Sequence, residues 1–289
     1  MIGVALTGAT ATLRRSGSPT ARLDAEVLLA HHLGCDRTWL LAHPEEPIPE
    51  PDAYEALIGR RATGEPVAYL RGYKEWHSLR IRTDRRALIP RPETELLLDA
   101  AIEEVDARLS RGDERILAWE VATGSGAVVV ALALRFATAI RAGRLRLLAS
   151  DLSEDALALA AENVEAHGVA DIVELLLADL LEPAGGALPT PDVVVANLPY
   201  VAADEVDARQ GSLGFEPRIA LDGGPDGLSV LRSLLASLPS RAAPSATVLL
   251  ELGVGQVEAV RAMAPSDASV SVVPDLAGLD RVVRIVMAD

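Results

Sequence analysis

From residue 93 onward, short runs of continuous Val, Leu and Ala alternate with stretches of helical period. The apolar runs are 116–121, 145–150, 172–178, 193–196 and 247–252, and helices are expected over 94–109, 127–140, 154–166, 228–238 and 256–263. A strand without a polar face must be covered on both sides. Joining parallel strands takes a crossover of a dozen or more residues, usually a helix. The pattern therefore predicts an α/β chain with a parallel, doubly wound sheet. Two late runs, 270–273 and 282–286, lie too close together for a helix between them and are expected to form an antiparallel pair at one edge.

The first 72 residues lack such runs and read as a small helical domain. Ser18-Pro19 looks like a helix start, Leu23, Val27, Ala30 and Leu33 follow at helical spacing, and Gly34 ends the helix. A short helix over 38–42, a proline-rich loop over 44–51 and a helix from Pro51 through Tyr54, Leu57 and Ile58 towards Gly64 complete this part. Between 73 and 90, Trp76, Leu79 and Ile81 alternate with Lys74, Arg80 and Arg82, which suggests a β-hairpin linker. The expected division is thus 1–72, 73–90 and 91–289.

Bulk properties exclude several classes. A net charge of −15 argues against affinity gained by neutralising phosphates, so no direct nucleic-acid binding is expected. The single cysteine, Cys35, rules out an internal disulfide, and the five histidines show no metal-ligand spacing, so no metal is expected. The amino terminus has no basic segment followed by a long apolar one. No uncharged run reaches membrane-spanning length, so no membrane association and a cytoplasmic location are expected.

Ligands of open α/β sheets bind at the carboxyl ends of the strands, and four of these ends carry chemistry. The first runs Glu120-Val121-Ala122-Thr123-Gly124-Ser125-Gly126, a turn whose glycines allow close approach to a ligand at a helix start; a tight packing turn fits it equally. It is not the dinucleotide fingerprint, because positions 122 and 127 are alanine. The second ends at Asp151, a carboxylate suited to ribose hydroxyls or to helix support, although Ser153 already provides a cap. The third ends at Asp179-Leu180, able to meet an adenine amino group and ring or simply to close a turn. Together these three ends have the layout of a nucleoside site. The fourth, Asn197-Leu198-Pro199-Tyr200, offers an amide and a backbone carbonyl as acceptors for a planar –NH2 group, and could also just end a strand.

With these motifs the chain resembles the protein glutamine N5-methyltransferase family that modifies peptide-chain release factors, within the S-adenosylmethionine-dependent Rossmann-like methyltransferases. The resemblance spans nearly the whole length. It rests above all on Leu88-Ile89-Pro90-Arg91-Pro92-Glu93-Thr94-Glu95, with Gly64-Glu65-Pro66-Val67-Ala68-Tyr69-Leu70-Arg71-Gly72, the Asn-Leu-Pro-Tyr segment and Glu251-Leu252-Gly253 with Gln256. It implies a Rossmann-like, seven-stranded methyltransferase domain behind a helical substrate-recognition domain and a β-hairpin linker. S-adenosyl-L-methionine is the implied cofactor, contacted by Ala122, Thr123, Gly124, Ser125 and Gly126 at its methionine end. Asp151 would meet the ribose, Asp179 and Leu180 the adenine region, and Asn197 would lie beside the reacting methyl. Asn197, Pro199 and Tyr200 are the implied catalytic residues, and Asn197 and the Leu198 carbonyl accept from the substrate glutamine while Tyr200 packs on it. Arg91 to Thr94 would close over both ligands.

Three positions depart from the family pattern: Glu120 and Ala122 stand where Asp and Gly are usual, and Leu198 replaces a proline. Leu198 still precedes Pro199, so extended backbone is expected there. Ala122 is expected to keep a φ ordinary for alanine, so that glycine at 122 would only loosen the loop. The rival readings are a ribosomal-protein glutamine, an exocyclic amine of a nucleic acid, and a non-catalytic cofactor-binding paralogue.

Overall fold

The computed structural model describes residues 1–183, 190–208 and 211–288. They form two units: Met1–Lys74 with Thr83–Arg85 and the described residues of 209–216, and the described remainder of the chain.

The first unit carries α1 (Ile2–Arg15), α2 (Ala21–Leu33), α3 (Arg37–Ala42), α4 (Pro51–Ala62) and α5 (Val67–Arg71). Ile2, Leu6, Leu13, Leu28, Leu29, Leu40, Tyr54 and Ile58 make its core, and the Tyr54 hydroxyl donates to the Ala25 carbonyl at 3.0 Å. The buried face of α2 differs from the predicted stripe. Ala21, Ala25, Leu28 and Leu29 face inward, whereas Leu23 is 43% exposed. Two acids on the inward side hid this face from the pattern. Asp24 is held by Arg61 at 2.8 Å and Glu26 by Arg37 at 2.6 Å. Thr20, not Ser18, occupies the helix-start position, and Ser18 Oγ donates to Asp24 at 2.9 Å instead. Gly34 closes α2 with a φ of 65°, as its sequence position suggests.

β1 (Tyr73–Trp76) and β2 (Leu79–Arg82) form a two-stranded hairpin. His77 and Ser78 at its tip have φ of 47° and 59°. Two consecutive positive φ values match a type I′ turn, normally advertised by Asn-Gly. His-Ser supplies no such signal. The buried Trp76 indole donates to the Arg91 carbonyl at 2.8 Å, tethering the segment that leads into the next helix.

The second unit continues with α6 (Thr94–Arg111), β3 (Ile116–Val121), α7 (Ala127–Arg141), β4 (Leu145–Asp151), α8 (Glu154–Ala166), β5 (Glu174–Asp179), β6 (Glu182–Pro183), β7 (Val193–Ala196), α9 (Ala203–Ala208), α10 (Ser229–Arg241), β8 (Thr247–Glu251), α11 (Val257–Met263), β9 (Ser269–Pro274) and β10 (Asp280–Val286). The strands lie in the order β6-β5-β4-β3-β7-β8-β10-β9. Strands β5, β4, β3, β7 and β8 are parallel, and β10 enters antiparallel between β8 and β9. This is the expected seven-stranded methyltransferase arrangement with one addition, the two-residue β6 paired antiparallel to β5. Ile172 and Val173 are buried in the turn before β5, which is why the apolar run overstates that strand.

Helices α6, α7 and α8 cover one face of the sheet through Leu97, Val105, Val129, Leu132 and Val164. Leu234, Leu235 and Leu238 of α10 and Val260 of α11 cover the other. The register sets Val121 beside Ser150 and Ala196, and Ala196 beside Leu250, so these strands end in one row.

Asn163, fully buried in α8, stitches the hairpin to that row. Its Oδ1 accepts from the Arg82 amide at 2.8 Å, and its Nδ2 donates to the carbonyls of Arg82 at 3.1 Å and Ser125 at 2.8 Å. Asn163→Ala leaves buried backbone groups without partners and is expected to lower unfolding free energy by about 2–4 kcal/mol. Denaturant titration checks this, and a loss below about 1 kcal/mol would contradict the role given to Asn163.

Candidate active site

The loops leaving the aligned strand ends enclose a cavity of about 570 Å³. That volume suits a ligand of nucleoside size or larger. Its floor is the turn after β3, where Ala122, Thr123, Gly124 and Ser125 line the space. Gly126 does not line it: a Cβ there would lie 3.1 Å from that of Ala160, so this glycine serves the close packing of α7 on α8. Asp151 ends β4 and Leu152 follows it, Asp179 ends β5 and Leu180 follows it, and all four line the cavity. Asn197, Leu198 and Pro199 line it from the end of β7. Tyr200 does not. Its ring sits against Gly253, where a Cβ would come within 3.1 Å of Tyr200 Cδ2. Gln256 fixes this corner, accepting from the Gly253 amide at 3.0 Å and donating to the Tyr200 carbonyl at 3.1 Å. Arg91 and Thr94 reach the cavity from the segment before α6 and from its first residue.

Asp151 is engaged by its own loop. One carboxylate oxygen accepts from the Gly124 amide and the other from the Ser153 amide, each at 2.9 Å. Burial raises its pKa, and the backbone donors oppose the rise. The carboxylate thus ties two strand-end turns together and still faces the cavity with lone pairs to spare. Ser153 caps α8 by accepting from the Ala156 amide at 3.2 Å, so the two acids of its first turn are not needed as caps.

Ala122 has a φ of 58°, in the left-handed region. This corrects the expectation of an ordinary φ: the turn needs the conformation that glycine adopts freely, and alanine holds it under strain. Ala122→Gly is therefore expected to stabilise the protein by up to about 1 kcal/mol, the relief of strain outweighing the extra entropy of the unfolded chain. A melting temperature below that of the unsubstituted protein would contradict this. Leu180, with a φ of 54°, shares the same conformation after β5.

Two buried carboxyl groups were not singled out by sequence reasoning as chemical groups of the site. Glu120 is the last residue but one of β3 and is 6% exposed. Burial pushes it up to about 8, opposed by hydrogen bonds from Thr123 and the Val129 backbone and assisted by the Asp151 charge. Thr123 Oγ1 donates to it at 2.8 Å. Glu251 ends β8, is 3% exposed, and is pushed up to about 7, chiefly by burial. Their signal in the sequence is a carboxylate closing an otherwise apolar strand, a costly placement unless the group has partners or a task.

The Glu120 carboxyl keeps its proton in the fold at a pH where the unfolded chain, with the ordinary 4.5, has lost it. The native state therefore binds more protons across that window, and the Glu120 contribution to stability declines as pH rises through it. Glu120→Gln cannot ionise. Its melting temperature relative to the unsubstituted protein is expected to improve from about pH 5 to about pH 8. A constant or shrinking difference would contradict the buried, protonated state.

Among the described residues, no group of three or more His, Cys, Asp or Glu side chains is placed to hold a metal ion, and no helix is long and apolar enough to cross a membrane. Residues 4–72 match the family model described as PrmC N-terminal domain. The chain is 38% identical over 272 residues to the release factor glutamine methyltransferase of Xylella fastidiosa strain Temecula1, covering 90% of this chain and 91% of that protein. It is 37% identical over 285 residues to the protein of the same name from Cereibacter sphaeroides, covering 96% of each. Among solved structures, a methyltransferase from Pyrococcus furiosus matches with a TM-score of 0.51 at 16% identity, over 80% of this chain and 98% of that one, which shows a shared fold.

Proposed function

Since the chain belongs to the release factor glutamine methyltransferase family, we propose that it methylates the side-chain amide nitrogen of the glutamine in the Gly-Gly-Gln motif of peptide-chain release factors, using S-adenosyl-L-methionine. One observation carries the reading: a single cavity is lined both by the nucleoside-type strand ends and by Asn197-Leu198-Pro199. Donor and acceptor of a methyl group must meet in one space for an in-line transfer.

The residues present fit such a cofactor. Asp151 and Asp179 offer carboxylates at neighbouring strand ends for hydroxyl and amino donors, and Leu152, Ala156, Leu180 and Val230 offer apolar walls for a base. Glu120 and the turn 122–125 would face the methionine end, where a buried acid suits a cationic group. When bound, the cofactor supplies an electrophilic methyl on a sulfonium.

The protein's task is then to present a poor nucleophile. Asn197 Oδ1 and the Leu198 carbonyl accept from the two hydrogens of the glutamine –NH2, which orients the nitrogen and keeps electron density on it. The nitrogen becomes acidic only as the new bond forms, so its proton passes to solvent without a buried base. Pro199 keeps Leu198 extended, and Gln256, donating to the Tyr200 carbonyl, braces the loop that follows. The net charge of −15 disfavours the nucleic-acid alternative, and a reducing cytoplasm suits both the lone cysteine and the substrate.

Incubation with isotopically labelled cofactor and purified release factors, followed by mass-spectrometric location of the label, tests this directly. Label on the Gly-Gly-Gln glutamine is expected. Label elsewhere, or on a ribosomal protein only, would overturn the substrate assignment. Asn197→Ala is expected to lower kcat about 10²- to 10³-fold, as loss of one preorganised polar contact does, with cofactor affinity nearly unchanged. Wild-type turnover in that variant would remove Asn197 from the mechanism.

A further inference from the structure

An asparagine amide can face a substrate with either of its ends, and the two have opposite effects on a –NH2 group. Only Oδ1 can accept from it; Nδ2 would confront donor with donor. In the structure Asn197 Nδ2 donates to Thr94 Oγ1 at 3.1 Å. A threonine hydroxyl has one proton to give. Glu251 is the acceptor beside it: hydrogen bonding from Thr94 and from Asn197 opposes the rise in its pKa, so Thr94 gives its proton there. An ionised carboxylate only accepts, so Thr94 must donate to it and has only lone pairs left for Asn197. Asn197 therefore turns its –NH2 end inward and its Oδ1 outward.

Position supports this polarity chain. Thr94 and Asn197 line the cavity, whereas Glu251 does not. The side chain of Glu251 is buried behind them at the end of β8, in the strand beside β7, and its Oε2 has no hydrogen-bond partner. A buried carboxylate oxygen without a partner is expensive as a purely structural device. We propose that Glu251, accepting from the Asn197 –NH2 directly and acting through Thr94, is a positioning residue that fixes the Asn197 amide with Oδ1 towards the substrate nitrogen. The inference rests on the reading of Asn197 as the acceptor for the substrate amide.

The arrangement makes orientation sensitive to pH. A protonated Glu251 donates to Thr94, which is then free to donate to Asn197 Oδ1, and the amide is reversed. Burial places the Glu251 transition at about 7. The groups that interact with it are Glu93 just before α6, Thr94 at its first position, Asn197 after β7, Tyr200 in the following loop and Arg281 on β10. Glu93 adds to the rise, and Thr94, Arg281 and Asn197 oppose it.

Two readouts test the proposal on the full chain. In the first, kcat, the KM for release factor and the cofactor Kd are measured across pH for the unsubstituted protein, Glu251→Gln, Thr94→Val and Thr94→Ser. The unsubstituted kcat is expected to fall as pH drops through the Glu251 transition. Glu251→Gln and Thr94→Val should lose that limb and drop kcat about 10- to 100-fold, by analogy with removing a partner that orients a metal-ligating side chain. In Glu251→Gln, which does not touch the cavity, both constants should stay within about twofold, and Thr94→Ser, which keeps the hydroxyl, should retain the rate that Thr94→Val loses. In the second, the Asn197 side-chain –NH2 resonances are followed by NMR. They should titrate with the same midpoint in the unsubstituted protein and not in Glu251→Gln.

Unchanged kcat in both Glu251→Gln and Thr94→Val would overturn the proposal. So would a kcat loss matched by equal losses of cofactor affinity and melting temperature, or a titration that persists in Glu251→Gln. Absence of methyl transfer by the unsubstituted protein would instead strike the functional reading, and the NMR titration still decides the orientation.

Discussion

The structure depends on the parallel registration of β4, β3, β7 and β8. Because Val121, Ser150, Ala196 and Leu250 stand abreast, each following loop leaves the sheet from the same edge. A slip of one residue would turn every side chain of a strand to the opposite face and separate the groups gathered there. The site is thus a by-product of strand pairing: the all-apolar strands hold the row, and the polar residues ride at its end. The antiparallel β10 braces this from beside β8, with Val282, Val283 and Ile285 fully buried.

The same edge concentrates buried acids. Glu120 and Glu251 lie at the carboxyl ends of two of the parallel strands, next to last in β3 and last in β8, and both are pushed towards neutrality by burial. Desolvation on this scale is tolerated because each carboxyl has a threonine donor, Thr123 for one and Thr94 for the other. The two serve different ends. Glu120 lines the cavity and stands where a cationic ligand group is expected, whereas Glu251 sits behind the lining and governs the direction of hydrogen bonds. Strain is stored nearby as well, at the positive φ values of Ala122 and Leu180.

Much of this was legible in the sequence because periodicity and strand-end residues are local signals. The alternation of apolar runs and helices fixes the doubly wound sheet, and its loops after β3, β4, β5 and β7 already carry Ala122–Ser125, Asp151, Asp179 and Asn197. What escaped depends on partners distant in the chain. The inward face of α2 was masked by Asp24 and Glu26, whose neutralising arginines include Arg61 and Arg37. The hairpin tip His77-Ser78 uses a turn type its residues do not announce. The strain at Ala122 is a property of the turn, invisible in an alanine's propensity. Gly126 also packs closely against Ala160, a contact between two helices that spacing cannot reveal. The tie between Thr94 and Asn197 joins residues 103 positions apart.

The central claim is that the strand-end amide presents acceptors to a planar substrate –NH2 beside a nucleoside-type pocket. A crystal structure of the protein with S-adenosylhomocysteine and a peptide containing Gly-Gly-Gln tests it most directly. The account predicts the glutamine nitrogen within about 3.2 Å of both Asn197 Oδ1 and the Leu198 carbonyl, with the cofactor's ribose at Asp151. A glutamine bound away from Asn197, or facing its Nδ2, would contradict it.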